Sequence, residues 1–185
     1  TTGASRQWKR GRDGRHGEAL WEHLMAVGEP LGLKPGHTSS IRRIEGGMLS
    51  YHADMDSKTN PFELGLGRLV DLNMDADFIG KAALTKIERQ GVRRQQVGIE
   101  IDGPALESPN TRQWVLFIGS KKVGHVTSAI YSPRLKRNIA LAMMDSDFSA
   151  EGTKAVVDMP SGQLPVVVVP KPFYDPKKGL AGAAL

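Results

Sequence analysis

The sequence predicts an α+β chain in which helices and irregular loops run to about residue 92 and a small antiparallel β-barrel follows. Three observations carry this. In the front half, apolar residues recur at helical spacing, first at Leu20, Trp21, Leu24, Met25 and Val27 and again at Ala82, Ala83, Leu84 and Ile87. From Arg94 onward the period changes to two, in short runs separated by turn residues. Between these regimes, Arg43 to Gly67 packs charged residues, glycines and an aromatic into a stretch that fits neither period. Such loops, held by a scaffold, tend to carry function.

Thr1 to His16 reads as an irregular lead-in, broken by Gly3, Gly11 and Gly14. Glu18 to Leu31 is a helix ended by Gly28 and Pro30, with Trp21 as core packing rather than a ligand platform. A second, short helix starts at Thr38 to Ser40, whose hydroxyls suit an N-cap. It places Ile41, Ile44 and Met48 on one face and stops at Gly46 and Gly47. Asp54 to Gly67 is loop, since Asn60-Pro61 breaks a helix. Gly67 to Leu72 reads as a short strand, followed by a helix capped by Asp75 or Asp77 and closed by Gly91. The strands are Gln96–Ile101, Gln113–Ile118, Val123–Ser128, Ile139–Met143, Lys154–Asp158 and Leu164–Val169, a spacing that suits a barrel or jelly roll. The domains are then 1–92 and 93–178, with a frayed Ala/Gly-rich tail at 179–185.

The composition fits a soluble globular chain of one domain or one and a half, at 39% hydrophobic and 24% charged residues. There is no Cys, hence no disulfide framework, thiolate nucleophile or Cys-held metal. No apolar run approaches the roughly 20 residues of a membrane helix, and no signal peptide is visible, so the expected location is cytoplasmic. The net charge of +5 comes from a basic start, from Arg89, Arg93 and Arg94, and from Arg134, Lys136 and Arg137. None of these is interleaved with aromatics, which argues against nucleic acid and for a solvated basic surface; a polyanionic small ligand is the alternative.

Several side chains are candidates for a site, each with a structural alternative. Arg43, beside Arg42 and Glu45, can clamp a carboxylate in bidentate fashion, or form a local Arg–Glu pair that ties the helix to the next loop. Glu63 can orient a ligand amine or ring nitrogen, or accept backbone N–H groups of its own turn. Asp54 and Asp56 read as Asx-turn caps, without the His or Glu spacing a metal needs. Of the five histidines only His52 lies in the irregular stretch. No nucleophile elbow, phosphate loop or dinucleotide fingerprint is present, so hydrolase, NTPase and dehydrogenase readings have no support.

As a set, Arg43-Ile44-Glu45-Gly46-Gly47, Ser50-Tyr51-His52, Asp54, Asp56, Asn60-Pro61, Glu63 and Gly65-Leu66-Gly67, followed by Asp77-Phe78-Ile79-Gly80-Lys81-Ala82-Ala83-Leu84, resemble the folate-dependent aminomethyltransferase family typified by the glycine cleavage system T protein. Val97-Gly98-Ile99, Val123 to Ser128, Ser132-Pro133, Leu135-Lys136 and Asn138-Ile139-Ala140 resemble that family's C-terminal barrel. The likeness runs from about Glu18 to Phe173, and Leu49-Ser50-Tyr51 with Asn60 to Glu63 is most similar to the dimethylsulfoniopropionate demethylase branch. The resemblance implies the tail of the T-protein folate-binding α/β domain followed by the barrel. It also implies tetrahydrofolate as cofactor, methyl or aminomethyl transfer as chemistry, and cofactor contacts at Arg43, Glu45, Tyr51 and Glu63.

The departures from the family shape the functional expectation. Family members are about twice as long, and the part that holds the catalytic aspartate and much of the folate pocket would precede Thr1. Thr2-Gly3 resembles the family's Thr-Gly turn, but the folate-binding glutamate that follows has no counterpart in Ala4 to Arg15. The family's folate-contacting arginine falls at Ser39, and His52 stands at a customary glycine. The expectation is therefore a one-carbon transferase portion that is incomplete and inactive as an isolated chain, with no catalytic residue and no metal. It would bind folate and a small methyl donor when completed by an N-terminal domain or partner chain. The alternative is a non-catalytic binding or assembly subunit, prone to self-association, that uses the barrel for partner contacts.

Overall fold

In the computed structural model, which describes residues 14–35, 39–177 and 179, six strands close into an antiparallel barrel. They are β1 (Arg94–Ile101), β2 (Trp114–Ile118), β3 (Lys121–Ser132), β4 (Arg137–Asp145), β5 (Lys154–Met159) and β6 (Gly162–Val169), and they neighbour one another in the order β1-β4-β3-β2-β5-β6. The period-two pattern explains the closure. Val97, Ile99 and Ile101 of β1 turn inward with Ala140, Ala142 and Met144 of β4, around the fully buried Leu116, Val123, Val126 and Val157. Each large aliphatic chain taken out of water there contributes about 2 kcal/mol. All six predicted strands are present, most of them longer than their apolar runs because the polar ends still pair.

The outer face of β1, β4 and β3 is covered by the segment that precedes the barrel. Helix α2 (Ser40–Glu45) lays Ile44 and Ile41 against Ile130, Ile139 and Leu141, together with Leu49, Leu135 and Phe173. Ser39 is its N-cap, accepting from the Arg42 N–H at 3.5 Å, and Gly47 at φ +64° ends it. Met48 lies past that stop and is exposed rather than on the helix's packed face. Gly98 lets the Phe173 ring lie on β1, since a Cβ there would come within 3.0 Å of it.

The segment that joins this cover to the barrel departs from the sequence reading. Gly67 to Leu72 is no strand: Gly67–Leu69 is a 3-10 turn with Leu69 exposed. A closed barrel has no free edge for a seventh strand to pair with. Helix α3 (Lys81–Gln90) is capped by Gly80 at φ +96°, not by Asp75 or Asp77. The Lys81 ammonium closes the preceding loop on the Met74 carbonyl at 2.6 Å, while Asp77 takes the Phe78 N–H. Ala82 and Ala83 are exposed, and Leu84 and Ile87 are half-buried.

Residues Thr1–Thr38 form a unit distinct from Ser39–Leu185. Its helix α1 (Gly17–Gly28) runs between 3-10 turns at Gly14–His16 and Glu29–Leu31. Among the described residues Leu20, Trp21, Leu24 and Val27 are exposed, so Trp21 does not pack into a core there. The lead-in at 1–13, Thr38 and the tail beyond Gly179 lie outside the described residues. Among the described residues no helix is long and apolar enough to cross a membrane.

Candidate functional site

A polar seam joins the loop after α2 to the outer wall of the barrel. Asp54 is its hub, with its side chain fully buried. Arg43 donates from Nη1 to Asp54 Oδ2 at 2.8 Å, and the Ser50 N–H reaches the same oxygen at 2.9 Å. Thr127 and Ser128 each donate a hydroxyl to Oδ1 at 2.6 Å. Arg43 Nη2 reaches Ser128 Oγ at 2.8 Å, closing the ring. A carboxylate has about four acceptor positions, and all four of these are filled.

The barrel supplies its two hydroxyls through a bulge. β3 pairs with β4 in register until Val126 faces Ala142; then Ser128 faces Leu141, and Thr127 is the extra residue. Both hydroxyls thus reach Asp54 while Val126 and Ala129 stay in the core. Two consecutive polar residues in an otherwise alternating strand are the sequence signal for this bulge. Gly124, just before it, lies so close to β4 that a Cβ would sit 2.3 Å from the Met143 carbonyl oxygen.

A second lock lies further along. Glu63 accepts Arg94 Nε at 2.9 Å and the Asn60 N–H at 3.0 Å, and its carbonyl takes the Gln96 N–H at 2.7 Å. Asn60 Oδ1 in turn accepts the N–H groups of Phe62 and Glu63. Arg94 is therefore tied to a buried carboxylate rather than free in the basic surface. Elsewhere in that surface, Arg137 pairs with Glu100 at 2.7 Å and Arg134 stacks over Tyr174. Glu45 is buried beneath α2, where Ser132 Oγ donates to its Oε1 at 2.5 Å. The partner of Arg43 is thus Asp54, not Glu45, although the pair does tie helix to loop.

Of the four residues singled out from the sequence, Arg43, Glu45 and Glu63 direct their polar atoms at the protein. Tyr51 alone is presented to solvent, 55% exposed, with its ring edge-on to His52 at 4.4 Å between centroids. His52 holds a left-handed backbone, φ +72°, and its N–H closes a turn on the Met55 carbonyl at 2.8 Å. Asp56 forms the Asx turn expected of it, accepting the Lys58 N–H at 2.8 Å.

This loop and the barrel wall enclose a cleft of about 310 Å³, lined among others by His52, Asp56, Lys58, Arg94, Gln113 and His125. Burial pushes the His125 imidazole below its usual range, and Lys122 and Arg94 push it further, so it is neutral at pH 7. The cleft is thus lined by the cationic groups of Lys58 and Arg94, the Asp56 carboxylate and an uncharged imidazole. Among the described residues no three metal-ligating side chains cluster.

The family model of the glycine cleavage T-protein C-terminal barrel domain matches residues 94–175, and that of the GCVT N-terminal domain matches residues 12–74. The chain belongs to the glycine cleavage T-protein family. Within that family it is 38% identical over 162 residues to an aminomethyltransferase of Bacillus cereus (strain ZK / E33L), covering 86% of this chain and 43% of the relative. It is 39% identical over 159 residues to an aminomethyltransferase of Thermosynechococcus vestitus, covering 85% and 42% of the two chains. To the dimethylsulfoniopropionate demethylase DmdA of Ruegeria pomeroyi it is 39% identical over 152 residues, covering 82% and 41%. Overall identity therefore does not separate the two activities. The fold matches the glycine cleavage system aminomethyltransferase T from Bartonella henselae with a TM-score of 0.66, at 24% identity, over 74% of this chain and 38% of that one. The chain thus spans about two fifths of the length of the curated T-protein relatives it matches.

Proposed function

We propose that this chain is the barrel-bearing portion of a tetrahydrofolate-dependent one-carbon transferase, with 1–92 contributing to the folate-binding domain and 93–178 forming the barrel. What carries the reading is the seam around Asp54. It clamps the family-typical loop onto the β3 bulge while Tyr51 and His52, with Asp56 and Lys58, stay exposed. Of the four residues singled out from the sequence, we assign Arg43, Glu45 and Glu63 as positioning residues and Tyr51, whose ring contacts the cleft-lining His52, as the one that touches ligand. The cleft lies at the lower end of the range for small-molecule sites, enough for one end of a folate but not all of it. Asp56 and Gln113 would hold ring amide and amine groups, and Lys58 would hold a carboxylate. Tetrahydrofolate, when bound, supplies the nitrogen to which the carbon unit is attached. The role of these residues is to hold it in one orientation. No catalytic group is assigned, because the buried carboxylates Glu45, Asp54 and Glu63 are all committed to protein donors.

Calorimetric titration of 5-formyltetrahydrofolate into the 185-residue chain tests this. Saturable binding is expected, weakened about tenfold by Tyr51→Ala and unchanged by Arg137→Ala, which lies outside the cleft and contacts Glu100 and the Leu135 carbonyl. Absence of saturable binding overturns the assignment of these cleft contacts to folate. Turnover of dimethylsulfoniopropionate with tetrahydrofolate by the same chain would overturn the assignment of no catalytic group.

A second reading, an assembly subunit, is favoured by the exposed Leu69, Met74 and Ile79 on the segment before α3. Concentration-dependent association in sedimentation without folate binding would select it.

A further inference from the structure

Gln96 lies on the outward side of β1 and is 3% exposed. Its Oε1 accepts from Lys171 Nζ at 2.7 Å. An ammonium only donates, so this bond fixes the amide orientation: the oxygen faces the lysine and Nε2 is the other arm of the same group. Nε2 is buried and has no hydrogen-bond partner. Buried donors without acceptors are rare in folded proteins, and each one calls for an explanation.

Lys171 adds to the imbalance. Among the described residues its side chain has the single hydrogen bond to Gln96, which leaves two of its three N–H groups unused. Asp54 is close enough for its charge to act on Lys171, but its four acceptor positions are filled by Arg43, Ser50, Thr127 and Ser128. Arg43 neutralises Asp54, and Arg94 neutralises Glu63. Lys171 is the cation of this seam without a contacting carboxylate. Two neighbouring side chains therefore present donors only.

We propose that Lys171 and Gln96 form a binding site for one small monovalent anion, of halide or formate size. Nζ lies 2.7 Å from the amide oxygen and Nε2 belongs to the same amide, so one anion seated beside that group can accept from both. The anion completes the hydrogen bonding of Nε2 and balances the lysine. Lys171 is only half-buried, which gives a path of entry from solvent. The site also has a mechanical consequence. Gly47, the turn that ends α2, packs against Lys171 and Pro172, at 3.7 and 3.6 Å from its ideal Cβ position. An occupied site fastens that strap to β1 behind the Asp54 seam. The proposal stands on these contacts and not on the folate reading.

Thermal unfolding of the full chain at constant ionic strength tests it, with sodium gluconate, whose anion is too large for the site, replaced stepwise by sodium chloride or by sodium formate. A saturable rise in Tm of roughly 3 °C is expected in at least one of the two salts. The salt with the larger effect tells a halide site from a carboxylate site. The rise is lost in Lys171→Met and in Gln96→Leu and kept in Lys122→Met. Chloride-35 line broadening by the wild-type chain, reversed by formate, reports the site without any variant and decides the matter if Lys171→Met fails to fold. Equal Tm in all three salts, together with no chloride broadening, overturns the proposal and leaves a buried water as the partner of Nε2. An undiminished salt response in a folded Lys171→Met overturns it as well.

Discussion

His52 occupies a backbone region that a side chain enters at a cost of about 1–2 kcal/mol. Its φ of +72° lies in the region that glycine enters freely, so the residue absorbs the strain of the turn. The N–H bond to Met55 and the ring contact with Tyr51 hold it there. His52→Gly removes the strain but gives the unfolded chain more freedom and loses the ring contact. The expected net gain in urea unfolding is about 0.5 kcal/mol. His52→Val, whose β-branch tolerates this region least, is expected to lose about 1 kcal/mol or more. Loss on His52→Gly would mean that the histidine contributes contacts beyond those described. The strain was half legible beforehand: the missing glycine could be read from the chain, but not whether the backbone or the side chain would yield.

At the scale of elements, the part of the fold that depends on local pattern was legible and the part that depends on distant partners was not. The alternation of Val97, Ile99 and Ile101 against Ala140 and Ala142 announces strands wherever they pair, because the period is intrinsic to the chain. Ser39 and Gly47 likewise mark the ends of α2 by their own chemistry. Asp54 reads as a turn residue because its hydroxyl partners, Thr127 and Ser128, lie more than seventy positions away and converge only through the bulge. Glu63 was open between ligand and turn for the same reason, since Arg94 belongs to another element. The fastening of α2 to β3 can be tested through its most exposed member. Arg43→Ala leaves the buried Asp54 carboxylate without its cation and is expected to cost about 3 kcal/mol in denaturant unfolding. Faster amide exchange at Ser50, whose N–H is held by Asp54, should accompany it. The double variant Arg43→Ala/Asp54→Asn should lose less than the sum of the single losses. Strict additivity would show that the two side chains do not act as one lock.

Over the whole molecule, two half-buried bases set how stability responds to pH, and they act in separate windows. The chain carries a net charge of +5 with its histidines neutral, so any proton added on acidification increases self-repulsion. His125 is held below its usual range, chiefly by burial and then by Lys122 and Arg94. The unfolded state therefore binds this proton more readily, and the stability due to the neutral imidazole is present above about pH 6.5 and lost as the pH falls below it. Lys171 is lowered from 10.5 to about 8, again chiefly by burial, with Asp54 opposing. Between those values the unfolded state holds the proton and the folded state does not, so stability rises with pH across the window and is flat below it. Allowing for partial exposure, the rise is about 2 kcal/mol. In gluconate, where no small anion competes for the site, urea unfolding of the wild-type chain is expected to show both slopes. Lys171→Met should abolish the alkaline slope and keep the acidic one; His125→Gln should do the reverse. A wild-type chain whose stability does not change between pH 8 and 10 would mean that Lys171 is as well hydrated folded as unfolded. The donor-rich seam behind the Asp54 lock would then be open to water.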